Sequence, residues 1–216
     1  DVFKVRAIQT HGENKVSADC GQRVAINISA DRIKLQKQHM LIEKDSIDLG
    51  RVLDVEITWL PHNLKPLTRQ RALTLHLATS RAIADVCANQ TIQPGGVGTA
   101  RIRLDRAIPL PPGFKFVLRG QSTRQFGGIV GGGRILDAHP VGRRRPNALS
   151  EFMKMDLDSQ RQKLITDAGR FGIDTDELAK RIPISRESKR ILFSQQALET
   201  SKHGLLNRVS EFHKQY

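Results

Sequence analysis

The sequence predicts a mainly β chain with a helical end: antiparallel β-barrels, one partial and one complete, followed by a helical domain with a helix-turn-helix pattern. Three observations predict it. Apolar residues recur with a period of two in short runs up to Asp137, as in strands with one buried face. A glycine-dense stretch, Gly127-Gly-Ile-Val-Gly-Gly-Gly133, lies between the runs Phe114–Arg119 and Arg134–Asp137. No helix tolerates that density, whereas bulges and close backbone approach at a barrel corner do. After Val141-Gly-Arg-Arg-Arg-Pro146 the apolar spacing changes to about three and a half. The expected domains are therefore residues 1–45, 46–140 and 141–216.

Along the chain, Phe3, Val5 and Ala7 alternate with Lys4 and Arg6, and the run ends in the polar turn His11-Gly-Glu-Asn14. Gly21-Gln-Arg23 leads into a second strand in which Val24, Ile26 and Ile28 share a face. Two or three strands do not form an independent core, so residues 1–45 read as the second half of a β-domain. Asp45–Gly50 is a short polar link. Leu53, Val55, Ile57 and Trp59 then point one way, with Asp54, Glu56 and Thr58 opposite; Pro61 and Pro66 break the run. Leu73, Leu75 and Leu77 form the next inward set, Ile83–Val86 another strand, and Ala100, Ile102 and Leu104 alternate with Arg101, Arg103 and Asp105. Short strands separated by Pro and Gly turns indicate an antiparallel barrel or sandwich. In the tail, Leu149, Phe152, Met153, Leu157, Leu164, Ile165 and Ala168 keep helical spacing up to Gly169 and Gly172. Asp174-Thr-Asp-Glu177 offers a capping box, Pro183 stops that helix, and Ser185 caps the next, 186 to about 198: a helix-turn-helix pattern. A last amphipathic helix is expected over 205–213.

With 35 Lys and Arg against 22 Asp and Glu, the 216-residue chain carries a formal charge of +13, which points to a polyanionic partner, most often nucleic acid. One Trp and one Tyr leave little for a base-stacking platform. No apolar run approaches a membrane span, and the start DVFKVRAI has neither a leader pattern nor Met, as expected for a fragment of something longer. Cys20 and Cys87, isolated from each other, are expected to be reduced, buried thiols of a cytoplasmic protein. The histidines show no ligand spacing, so no metal is expected. The glycines are followed by no Gly-Lys-Ser/Thr, which favours a barrel turn over nucleotide binding. Neither a nucleophile elbow nor a paired acid and base is visible, so catalysis by this chain is not expected.

Three blocks in order resemble one family, the bacterial selenocysteine-specific translation elongation factors, relatives of elongation factor Tu. Val5-Arg-Ala-Ile-Gln-Thr-His-Gly12 followed by Gly21-Gln-Arg-Val-Ala-Ile-Asn-Ile28 is similar to the second half of the family's domain II. Phe116-Val-Leu-Arg119 followed by Gly131-Gly-Gly-Arg-Ile-Leu-Asp137 resembles the end of its domain III. Residues 166–184 and 193–213 resemble the first winged-helix region beyond the barrels. The resemblance implies a cytoplasmic RNA-binding chain that holds selenocysteinyl-tRNA for delivery to the ribosome at recoded UGA codons. It also implies a messenger-RNA hairpin bound through later modules. GTP and Mg belong to a GTPase domain that is absent from these residues, so no cofactor is expected in this chain.

Candidate site residues follow. Arg23 reads either as a solvated strand-edge charge or, as the resemblance implies, as the Arg of a Gly-Gln-Arg motif in the selenocysteinyl pocket. Arg101, Arg103, Arg119, Arg124 and Arg134 are the candidate RNA contacts, because the resemblance implies that domain III packs on the transfer RNA. Arg143, Arg144 and Arg145 are either further phosphate contacts or a solvated hinge. Arg186, Lys189 and Arg190 stand where a recognition helix would meet a groove, although such folds also serve as spacers. The rival readings are a basic helix-turn-helix regulator with a β effector or dimerisation domain, and a structural piece of another translational GTPase.

Overall fold

The computed structural model describes residues 3–19, 21–29, 36, 38–120, 128–142, 146–169 and 172–183. The first strands, β1 (Val5–Thr10), β2 (Glu13–Lys15) and β3 (Val24–Ile28), form an antiparallel sheet in the order β2-β1-β3. The expected four-residue turn is tighter than predicted. His11 and Gly12 alone make it, both at positive φ (52° and 84°), and Glu13 already pairs back with Thr10. That backbone matches the twist of two flanking strands. Val5 and Ile26 remain about half exposed, because this sheet has no second layer among the described residues.

The centre of the molecule is a closed antiparallel barrel. Its strands are β4 (Leu49–Trp59), β5 (Leu67–Leu77), β6 (Ser80–Ile92), β7 (Val97–Pro109), β8 (Lys115–Arg119) and β9 (Ile129–Asp137), ordered β4-β7-β6-β5-β8-β9 around the wall. Closure leaves no unpaired edge. The alternation decides the interior: Leu53, Val55, Ile57 and Trp59 of β4 are buried with Leu73, Leu75 and Leu77, Ala82, Ala84 and Val86, Ala100, Ile102 and Leu104, and Phe116 and Leu118. Phe114, which opens the predicted run Phe114–Arg119, lies before β8 and is half exposed. Cys87, expected to be buried, is exposed, because inward-facing Ala82, Ala84 and Val86 put odd-numbered residues of β6 outside; Cys20 lies outside the described residues.

The glycines differ most from expectation. Gly131, Gly132 and Gly133 do not turn a corner between two strands; they are the middle of β9, paired with Trp59, Thr58 and Ile57 of β4. A Cβ on Gly133 would stand 1.7 Å from the Glu56 carbonyl oxygen and one on Gly132 would stand 2.7 Å from that of Phe116. The strand that closes the barrel fits only because it is bare on both sides.

The tail forms α1 (Pro146–Lys154), α2 (Leu157–Ala168) and α3 (Thr175–Arg181). The single long helix predicted to Gly169 is broken at Met155-Asp156. There the Asp156 carboxylate accepts from the backbone N–H groups of Asp158 (3.0 Å) and Ser159 (2.9 Å) and starts α2 afresh. Those hydrogen bonds, chiefly the ones from Ser159, hold the Asp156 carboxyl below its usual value. Asp174 caps α3 in the same way, accepting from the Asp176 N–H at 2.7 Å. Leu149, Phe152, Leu164, Ile173, Leu178 and Ile182 bury themselves together with Leu136, which projects from the outer side of β9. The helices are thus seated on the barrel wall. The second helix of the predicted helix-turn-helix and the last amphipathic helix lie outside the described residues.

Candidate functional site

The predicted arginines do not form one stripe. Arg101 and Arg103 stand on β7 and Arg119 on β8, and these strands are three places apart whichever way round the barrel one goes. Arg124, Arg143, Arg144 and Arg145 lie outside the described residues.

Arg101 is engaged internally. Its guanidinium grips fully buried Asp54 in a fork, Nε to Oδ1 at 2.7 Å and Nη2 to Oδ2 at 2.9 Å, and also donates to the Gly142 carbonyl. The hydrogen bond to Asp54 holds the guanidinium above its usual pKa. Directly across the β4–β9 ladder from Asp54 is Asp137, also fully buried, and Arg181 of α3 grips it at 3.1 and 2.6 Å. Two carboxylates facing each other in a protein wall repel unless both are neutralised. One guanidinium comes from the barrel and the other from the helices, which makes this ladder step the joint between the two. Around it, the Ala138 N–H donates to the Arg181 carbonyl at 2.9 Å, Lys180 pairs with Asp48 at 3.0 Å, and Pro183 packs against Gly113. The His139 ring fills the joint, its Nε2 buried and meeting no partner among the described residues. Burial pushes its pKa down against the opposing pull of Asp48 and Asp137. Arg134, half exposed, pairs with Glu56 at 2.8 Å. Arg103 is exposed.

A second cationic group was not anticipated as a unit. On adjacent strands β6, β5 and β8, His76 sits opposite Arg81 on one side and Val117 on the other, and Thr74 sits opposite Arg119. The strand register therefore brings Arg81, His76 and Arg119 together around exposed Ile83 and Val117. Burial first, and then the charges of Arg119 and Arg81, push the His76 imidazole below its ordinary pKa. The arc thus gathers three basic side chains beside the exposed aliphatic groups of Ile83 and Val117, with Asp105 accepting from the Ile83 backbone N–H at 2.9 Å. Sequence reasoning isolated Arg119 but missed its neighbours, since Arg81 and His76 become adjacent only through pairing.

Arg23 is exposed at the start of β3. With Gln9, His11, Gly12, Val24 and Ala25 it lines an open depression of about 420 Å³ at the end of the small sheet. Among the described residues no group of His, Cys, Asp and Glu suits a metal ion. Gly131–Gly133 are packed against the backbones of β4 and β8 and form no phosphate cradle. No described helix is long and apolar enough to cross a membrane.

A closed antiparallel barrel with a small antiparallel sheet before it and helices seated on its wall defines the class of the chain by fold. More particularly, the chain is 27% identical over 195 residues to a selenocysteine-specific elongation factor from Desulfomicrobium baculatum, a match covering 86% of this chain and 30% of that protein. The resemblance read from the sequence blocks is borne out. The crystal structure of the bacterial selenocysteine-specific elongation factor EF-Sec superposes with a TM-score of 0.63 at 19% identity, covering 85% of this chain and 29% of that one. A structure of sup35 complexed with GDP superposes at 0.50 and 18% identity over 62% of this chain and 37% of its own. No family model matches the chain. The chain thus spans about a third of the length of these relatives.

Proposed function

We propose that this chain is the transfer-RNA-holding part of a selenocysteine-specific elongation factor, acting by binding and not by catalysis. The observation that carries the reading is the 27% identity over 86% of the chain. In this reading residues 1–45 belong to domain II and present the aminoacyl pocket with Arg23, residues 46–140 are domain III, and residues 141–216 begin a winged-helix region leading toward modules that bind a messenger-RNA hairpin. GTP and Mg are held elsewhere in the whole factor, which works on the ribosome in the cytoplasm. On the barrel we assign the RNA contact first to the arc of Arg81, His76 and Arg119, where the strand register gathers three basic side chains beside exposed aliphatic groups. Arg103 and the half-exposed Arg134 are secondary contacts, and Arg101 is a structural pin.

The test is binding of the purified chain to transfer RNA between 50 and 200 mM salt, followed by fluorescence anisotropy. Each neutralised phosphate releases condensed counterions, so affinity should fall steeply with salt, and Arg81→Gln with Arg119→Gln should flatten the log–log slope by about 2. A parent that does not bind, or a slope that the paired change leaves alone, overturns the assignment of this face.

A further inference from the structure

The end of β6 that brings Arg81 into the arc is held on its β7 side by side chains where a backbone ladder would ordinarily run. The β6–β7 register extends from Ala88 opposite Ala100 to Ala84 opposite Leu104. Beyond that step two side chains of β7 take over the backbone of β6. Asp105 Oδ1 accepts from the Ile83 N–H at 2.9 Å, and the Arg106 guanidinium donates to the Arg81 carbonyl from both Nε (3.2 Å) and Nη2. One backbone donor and one backbone acceptor past the end of the ladder are thus both satisfied. The same Arg106 Nη2 donates to Gln38 Oε1 at 3.3 Å. Gln38 belongs to the link between the small sheet and the barrel, and that link is fastened to the turn between β5 and β6. There the Thr79 hydroxyl donates to the His39 carbonyl at 2.8 Å and the Ser80 hydroxyl to the Gln38 carbonyl at 3.2 Å. Arg106 therefore ties the backbone of Arg81 to β7 and to the link at once.

We infer that Arg106 is a positioning residue for RNA binding: it meets no phosphate itself, and it fixes the start of β6 so that Arg81 faces the RNA from a set place. This rests on the reading of the Arg81, His76 and Arg119 arc as the RNA contact. A guanidinium suits the task, because Nε and Nη2 donate in one plane at a fixed spacing and so define a direction, which an ammonium on a flexible stem does not. An arginine side chain has ample rotamer freedom of its own, so Arg81 holds one phosphate in register only where its backbone is fixed.

The experiment is a double-mutant cycle on the full chain, read as the anisotropy of labelled transfer RNA while salt is varied. Arg106→Gln should weaken binding about fivefold when Arg81 is present, a coupling of ordinary size for residues joined by a hydrogen bond. In the Arg81→Gln background the same change should alter neither affinity nor salt slope, because no Arg81 is left to place. Arg106→Lys, which keeps the charge but loses the planar fork, should bind nearly as weakly as Arg106→Gln. An equal loss in both backgrounds would make Arg106 a merely structural residue and overturn the inference. So would full rescue by Arg106→Lys, or a log–log slope lowered by about 1 in the Arg81→Gln background, the mark of a direct phosphate contact. If Arg81→Gln by itself leaves binding unchanged, the assignment of the arc fails and this inference falls with it.

Discussion

Two residues set conditions that the rest of the molecule must meet. At Gly133 any side chain would meet the Glu56 backbone, not a movable neighbour. Gly133→Ala should therefore cost roughly 3 kcal/mol or more, at or beyond the upper end of ordinary overpacking, and show as a large fall in the denaturation midpoint. His139 sets a pH limit. Its folded-state pKa is lowered, chiefly by burial, so the unfolded chain binds the extra proton more readily. The stability it protects is fully present above the unfolded value of about 6.5 and is lost as pH falls toward the lowered folded value. His76 contributes with the same sign, because its pKa is lowered too. Thermal melts from pH 7.5 to 5 should show a declining midpoint, and His139→Gln should make the decline shallower; an identical slope in the variant would assign the effect to His76 or to other groups.

Among the elements, β9 carries the most. Its glycine run closes the barrel between β4 and β8, while Leu136 and Asp137 receive the helices on its outer side. The paired guanidinium–carboxylate step between β7, β4, β9 and α3 is the joint. Arg181→Met leaves Asp137 buried beside Asp54 without the cation from the helices, a type of break that costs about 3–5 kcal/mol. The expected result is loss of amide protection in α2 and α3 with the barrel strands still protected, read by hydrogen exchange. Equal loss in both would mean that helices and barrel unfold as one unit.

For the whole molecule, protection should follow closure. The barrel satisfies its backbone internally and buries one continuous core, whereas the β1–β3 sheet leaves Val5 and Ile26 in water. Amides of β1–β3 should exchange much faster than those of β4–β7 in the same sample, and slow exchange there would show that the sheet is held by something besides its own pairing.

The sequence by itself determined the inward faces of β4, β5, β7 and β8, the change from strands to helices and the resemblance to the elongation factors. All of these depend on spacing along the chain, and Leu53, Val55, Ile57 and Trp59 announce their face without help from any other segment. The break between α1 and α2 was legible in principle, since Asp156 is a capping residue, but apolar spacing ran on across it. What only the tertiary structure decided is which charges meet. Arg101 and Arg103 are two positions apart, yet Arg101 pins buried Asp54 across from it on β4, whereas Arg103, opposite Val52 on β4 and Asp85 on β6, is exposed. Arg81, His76 and Arg119 come from separate strands and make one arc. Pairing register couples residues far apart in sequence, and no local period carries that information.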